Sequence, residues 1–331
     1  MTNPLDPAIA ASSAPADRRY RPDTGCAAMA LQRGDSLIAT APPAARWLLI
    51  ESRTPWPRQA LTALPEVDTE VARRCAELGY RPVLIRRYGR VDRAAVRRYA
   101  LVDCRPGRES IRWGELASDA HLISVLDAVA ADALETLSDL QPPTLEPIYL
   151  VCTHGRHDAC CAVRGRPVAA ALAAAYPERT WECSHIGGDR FAGNVVVLPH
   201  ALFYGQVTPA RAVEVAKHHA EFRVVPDLLR GAGTVAPPVQ AAQHYARQAG
   251  HSLALDALQP TQITPLSDHH YRIALATPQG GGDHGTQLAA TQLVVEVSVH
   301  FDTVNAPLTC SGKAPVQARR FELHSIESVG G

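Results

Sequence analysis

The apolar positions of this chain fall into three successive patterns. Arg46-Trp47-Leu48-Leu49-Ile50-Glu51 is a short apolar run bounded by charge, as in a strand buried on both faces. Val71, Cys75 and Leu78 then recur at helical spacing, with Asp68 as the opening cap and Gly79 as the stop. Residues 81–85 and 99–103 read as further strands, and Leu122, Val125, Val129 and Leu134 predict a helix over 121–137. Leu140-Gln141-Pro142-Pro143-Thr144 ends this first pattern, because paired prolines suit neither helix nor strand. In the second pattern, strand 148–151 delivers Cys152 at its end, and Pro167 is expected in the first turn of an alanine-rich helix over 168–176. Residues 180–184 form a strand, 195–198 and 202–204 an antiparallel hairpin, and Thr208-Pro209 opens another helix. From about His251 the third pattern has period two: 271–276, 292–301 and 319–326 alternate, and the glycine-rich 280–285 joins the first two.

Strands interleaved with helices predict an α/β protein. The divisions expected are a flexible tail over 1–20, an α/β unit over 21–141, a second unit over 145–250 and a small β-rich extension over 251–331. The β-α-β-β-β-α order of the second unit is that of a thioredoxin-like sheet. The 331 residues are 46% hydrophobic, enough for real cores and too many for a disordered chain. Thirty-three basic residues against 33 acidic ones leave a formal net charge of zero, which argues against a general nucleic-acid or membrane-surface binder. With no unbroken run of about 18 apolar residues, no spanning helix is expected. Pro4, Asp6 and Pro7 stand where a signal peptide needs a basic start and an apolar stretch, so the expected compartment is the cytoplasm.

Cysteine placement changes the picture more than composition does. Of eight cysteines, Cys26, Cys75, Cys104 and Cys310 are scattered and read as small buried hydrophobes. Cys152, Cys160, Cys161 and Cys183 are concentrated, which in a reducing compartment points to metal or redox chemistry. Cys152-Thr153-His154-Gly155-Arg156-His157-Asp158-Ala159-Cys160-Cys161 follows one strand, and Cys183-Ser184-His185-Ile186-Gly187-Gly188-Asp189 follows the next. Paired glycines let backbone approach a bulky inorganic group. Thiolate with imidazole suits zinc or iron–sulfur clusters rather than magnesium or calcium. His154 and His157 are read as orienting this loop by hydrogen bonds, Asp158 and Arg164 as pairing or capping the nearby helix, and Arg190 and Asn194 as supporting the bound group. His218 and His219, adjacent on a helix, face different ways and make a poor metal pair.

In the Cys-Thr-His-Gly-x-x-Asp-x-Cys-Cys and Ser-His-Ile-Gly-Gly blocks the chain resembles the sucrase/ferredoxin-like family, over about residues 26–248. The resemblance implies a metal domain similar to thioredoxin-like 2Fe–2S ferredoxins, with a 2Fe–2S cluster on Cys152, Cys161 and His185. Histidine-ligated members have a second histidine where this chain has Asp189. The fourth ligand is therefore open between Asp189, Cys183 and Cys160. An anionic fourth ligand implies a potential below that of two-histidine members, with at most one protonation linked to reduction.

The expected function is one-electron transfer by a protein that is a carrier rather than an enzyme with its own substrate; sugar hydrolysis finds no paired carboxylates here. The alternative is a structural zinc module on Cys152, Cys161, His185 and Asp189 or Cys183. A thiol-redox enzyme is disfavoured because C-x-x-C is missing. Arg81, Arg86, Arg87, Arg90, Arg93, Arg97, Arg98, Arg105, Arg108 and Arg112 concentrate positive charge in a neutral chain. The plainer reading is a solvated face; the functional one is a dock for an acidic redox partner such as a reductase. Neither a nucleic-acid nor a membrane partner is expected.

Overall fold

The computed structural model describes residues 23–89, 94–277 and 292–329. The 1–20 tail, the 280–285 stretch, Arg90 and Arg93 lie outside the described residues. In chain order the elements are α1 (Cys26–Arg33), β1 (Arg46–Glu51), α2 (Asp68–Leu78), β2 (Arg81–Arg86), β3 (Arg97–Asp103), β4 (Ser110–Leu116) and α3 (His121–Ala130). Then come β5 (Ile148–Cys152), α4 (Ala159–Ala175), β6 (Thr180–Cys183), β7 (Val195–Leu198), β8 (Leu202–Tyr204), α5 (Pro209–Ala220), β9 (Leu229–Ala232) and α6 (Pro237–Gln248). Strands β10 (Gln259–Ser267), β11 (His270–Ala276), β12 (Gln292–Val304) and β13 (Val316–Val329) complete the chain.

The architecture is mixed α/β. Nine strands form one sheet in the order β4-β3-β1-β2-β6-β5-β7-β8-β9, and β10 to β13 form a separate antiparallel sheet. Strands from both sides of the proline break therefore share one sheet. The join is the antiparallel pairing of β2 with β6, where Ile85 faces Cys183 and Arg86 faces Glu182. Strand alternation assigns the cores. Trp47, Leu49, Leu150 and Trp181 enter one apolar cluster. Leu48 and Ile50 pack on the opposite face with Val71 of α2 and Leu122 of α3. Tyr149 and Val151 pack with Leu172 of α4 and Val215 of α5. The C-terminal sheet buries Ile273, Val295 and Phe321 against Val239 and Ala242 of α6. Among the described residues no helix is long and apolar enough to cross a membrane.

Two helices depart from the expected pattern. The 121–137 helix ends at Ala130 and is followed by a single 3-10 turn at Leu134–Thr136. Helix α4 begins at Ala159, not at Val168, so Pro167 lies inside it. Asp158 is the cap: its Oδ1 accepts the Cys160 N–H at 2.9 Å. A proline in the interior removes the bond to the carbonyl four residues earlier; here that residue is Val163, on the exposed side of the helix, where solvent can take the bond.

On α5, His219 is buried, and its Nε2 lies 3.0 Å from Nδ1 of His200. Burial, reinforced by His200, pushes the His219 imidazole down to about 4. A histidine held neutral in the fold stabilises it above the unfolded value near 6.5, and that contribution is lost as pH falls towards 4. The loss amounts to roughly 3 kcal/mol. Chemical denaturation of the native chain and of His219→Gln between pH 7 and pH 4 should show a steeper decline in the native chain. Parallel declines would count against this histidine.

Candidate metal centre

The site lies where parallel strands β5 and β6 end, the usual position for a site on an open α/β sheet. Cys152 pairs with Cys183 across the two strands, and the loops that follow diverge to form the site. Cys161 comes from the first turn of α4 and lies over the end of β5. This close approach depends on Gly165: a Cβ there would sit 2.0 Å from the Cys152 carbonyl oxygen.

One ligand atom each from Cys152, Cys161 and His185 lie within 4.8 Å of one another, as do those of His157, His185 and Asp189. Cys161 Sγ is 3.1 Å from Asp189 Oδ1. His185 Nδ1 is 3.0 Å from the same oxygen but off the hydrogen-bond line, leaving a buried ring nitrogen without a hydrogen-bond partner. His157 Nε2 lies 3.6 Å from Asp189 Oδ2, and its ring stacks on that of His185 at 3.7 Å. Both thiols and the carboxylate are buried, while the two imidazoles remain 27–29% exposed and form the rim. The donor set of two thiols, imidazole and carboxylate, with one nitrogen unsatisfied, fits a thiophilic metal group.

The electrostatics keep the site charged. Burial opposes ionisation of Asp189, but His157 and His185 hold its carboxyl below the usual range. Burial likewise works against the His185 imidazolium, yet Asp189 and Cys152 raise it to about 9. The Cys161 thiol donating to Cys152, with help from His185, favours the Cys152 thiolate. Protonation of Cys161 is correspondingly favoured.

The loop carrying His185 and Asp189 is braced from below. Gly188 has φ +84°, and a Cβ there would meet the Arg230 guanidinium. Arg230 donates to Gly187 O at 2.9 Å and to Asn194 Oδ1 at 2.7 Å, and Asn194 Nδ2 donates to Gly188 O at 2.8 Å. Sequence reasoning picked out Asn194 but missed Arg230, whose only signal was a charge inside the short strand β9. Arg190 instead lies over the Phe191 ring and 3.4 Å from Asp35.

Of the residues predicted for the site, Cys152, Cys161, His185 and Asp189 come together. Cys183 does not join either group: alternation buries it in the apolar cluster beside Trp181, where burial pushes its thiol up. Cys160, one residue from Cys161, turns about 100° further round the helix and faces Cys310, 3.4 Å away. His154 orients the loop as expected, with Nε2 donating to Pro57 O at 2.7 Å and Nδ1 accepting the His185 N–H. His157 was expected to do the same, but it stands at the rim against Asp189.

Two clefts flank the histidines. One, of about 610 Å³, is lined by Asp68, Thr69, Pro82, His154, His157 and His185. The other, of about 390 Å³, is lined by His157, His185, Asp189, Arg230, Leu308 and Thr309.

The sucrase/ferredoxin-like family model matches residues 37–231, more than half of the chain. The chain belongs to the sucrase/ferredoxin-like family. No curated protein and no solved structure gave a match. The sucrase/ferredoxin-like match includes all the converging residues of this centre and excludes Cys26, Cys310 and the C-terminal sheet.

Much of the basic segment is engaged within the fold. Arg86 donates to Glu182, Arg97 pairs with Asp119 and Arg105 with Asp103. Arg81, Arg87 and Arg98 lie over the rings of Trp47, Trp181 and Trp113.

Proposed function

We propose that this protein is a one-electron carrier with a 2Fe–2S cluster, held by Cys152 and Cys161 on one side and by His185 and Asp189 on the other. The observation that carries this reading is the convergence of two buried thiols, nine positions apart in sequence, with an imidazole at the rim of a cleft. When bound, such a cluster supplies a single-electron couple whose potential follows its ligands' charge and exposure. Cys152 and Cys161 sit on the buried side and keep water from the sulfur ligands. His185 and His157 form the exposed side, the side that a cluster bound here would present to a partner. Asp189, kept anionic, adds negative charge and draws the potential down relative to a two-histidine set. The reading includes an acidic redox partner such as a reductase, in the cytoplasm, docking at the Arg81–Arg112 segment or the histidine rim.

One observation favours the alternative of a single structural zinc. Three ligand atoms within 4.8 Å of one another suit one tetrahedral ion without rearrangement. Absorption of the purified, anaerobically reconstituted protein separates the two. A coloured protein with iron and sulfide that bleaches on reduction supports the carrier, and a colourless protein with one zinc supports the module. Asp189→Ala should shift that spectrum or lose the metal, and Cys183→Ala should leave it unchanged. The reverse result would overturn the ligand set.

A further inference from the structure

A second group of sulfur atoms lies on the other side of α4. Cys26 of α1, Cys160 at the start of α4 and Cys310 in the turn between β12 and β13 bring three thiols together with Asp158. Cys160 Sγ is 3.4 Å from Cys310 Sγ, Cys310 Sγ is 3.6 Å from Cys26 Sγ, and both Asp158 oxygens lie 3.7 Å from Cys26 Sγ. The four ligand atoms all lie within 4.8 Å of one another, and none of the three cysteines is in a disulfide.

We propose that Cys26, Cys160, Cys310 and Asp158 form a second metal site that takes a single zinc ion. Three features support it independently of the 2Fe–2S reading. With zinc–sulfur bonds near 2.3 Å, the edges of a tetrahedral thiolate site are about 3.8 Å, close to the sulfur separations found. Asp158 is only 2% exposed, and no ion pair to it is found among the described residues. A buried carboxylate is normally matched by a cation. Its two oxygens take the N–H groups of Cys160 at 2.9 Å and Cys310 at 2.6 Å, which aims both thiols at the same point while each oxygen keeps a lone pair. The ion enters as Zn2+, the three thiols release their protons to solvent, and no electron is exchanged.

The consequence is architectural. Leu308 and Thr309, beside Cys310, line the cleft next to His185 and Asp189. Zinc here clamps the β12–β13 turn and α1 onto the start of α4, and so fixes one wall of the main centre. Two of the three thiols come from outside the family match, so the clamp belongs to the parts of this chain that surround the family domain.

The test uses the full chain, stripped of metal and reduced with a phosphine, and titrated with Zn2+ against a chromophoric chelator. Cys310→Ala is the principal variant, because Cys310 is exposed and belongs to none of the apolar clusters. The native chain should hold one more equivalent of zinc than Cys310→Ala, or hold it more than about 100-fold tighter, beyond what losing an outer-shell partner costs. Cys152→Ala should keep that equivalent, so this site and the 2Fe–2S reading can fail separately. Independently of any variant, zinc should slow hydrogen exchange across 305–315 in the native chain. Equal zinc binding by the native chain and Cys310→Ala, or unchanged exchange over 305–315, overturns the proposal.

Discussion

Gly165→Ala is expected to destabilise the protein by about 1–2 kcal/mol net and to lower its metal content. Two effects compete. Alanine in a helix interior gains about 1 kcal/mol over glycine. Against this, the new Cβ would sit 2.0 Å from the Cys152 carbonyl oxygen and 3.1 Å from its carbon. The obstacle is backbone at the end of a buried strand, which no rotamer change can move aside. Helix α4 must therefore back away by an ångström or more, and overpacking of this kind costs about 1–3 kcal/mol, occasionally more. The shift also has a specific consequence: Cys161 lies one turn before Gly165, so moving α4 separates Cys161 from Cys152. Thermal unfolding with metal analysis checks both parts. A stabilised Gly165→Ala chain, showing the helix-propensity gain alone, would rule out the close approach of α4 to β5.

Arg230→Met is expected to cost about 3 kcal/mol and to weaken the centre without touching its ligands. The Arg230 side chain is buried, and burial lowers its guanidinium to about 9, with the charges of Arg190 and Arg81 adding to that and those of Asp189 and Cys152 opposing it. It donates to Gly187 O, Asn194 Oδ1, Thr40 O and Thr40 Oγ1. Methionine keeps much of the volume but strands these acceptors, at about 1–3 kcal/mol for each buried group left unpaired. Relief from burying a charge offsets part of that, which is why the net expectation is below the sum. The freed segment is 187–194, so hydrogen exchange should rise there first and metal affinity should fall with it. Arg230→Lys, which keeps a donor but not the fork, should recover only part of the loss. If Arg230→Met matches the native chain in stability and in exchange over 187–194, the brace is not what positions Asp189.

The site was legible in sequence wherever chemistry and spacing coincided. That the two loops carry soft ligands was readable from the residues, while the choice of Cys152 and Cys161 as the pair came from the resemblance to the sucrase/ferredoxin-like family. His185 and Asp189 could be added because they flank paired glycines. His157 was underestimated because its spacing suits loop support as well as a place at the rim, and only packing stacks it on His185. Cys26 and Cys310 read as ordinary buried cysteines. They converge with Cys160 through contacts between residues 132 or more apart, such as Cys26 with Asp158 and Cys160 with Cys310, and no local pattern encodes that.

The strands that bear the site show the same division. Apolar runs determine that 46–51, 148–152 and 195–198 become buried strands, since each carries enough side-chain area to drive its own burial. They do not determine which edges meet, because any two twisted strands can pair through backbone groups that all residues share. The joining of β2 to β6, which merges the two α/β stretches into one sheet, is a tertiary outcome. So is the length of α4: local signals around Pro167 favour a helix start, while the cap at Asp158 and the packing of Gly165 against Cys152 extend it. What the sequence determined alone is the set of donor atoms and the loops that carry them. Their sorting into two clusters on opposite sides of one helix was decided by packing, because consecutive residues on a helix point about 100° apart and only the surrounding fold gives each direction a partner.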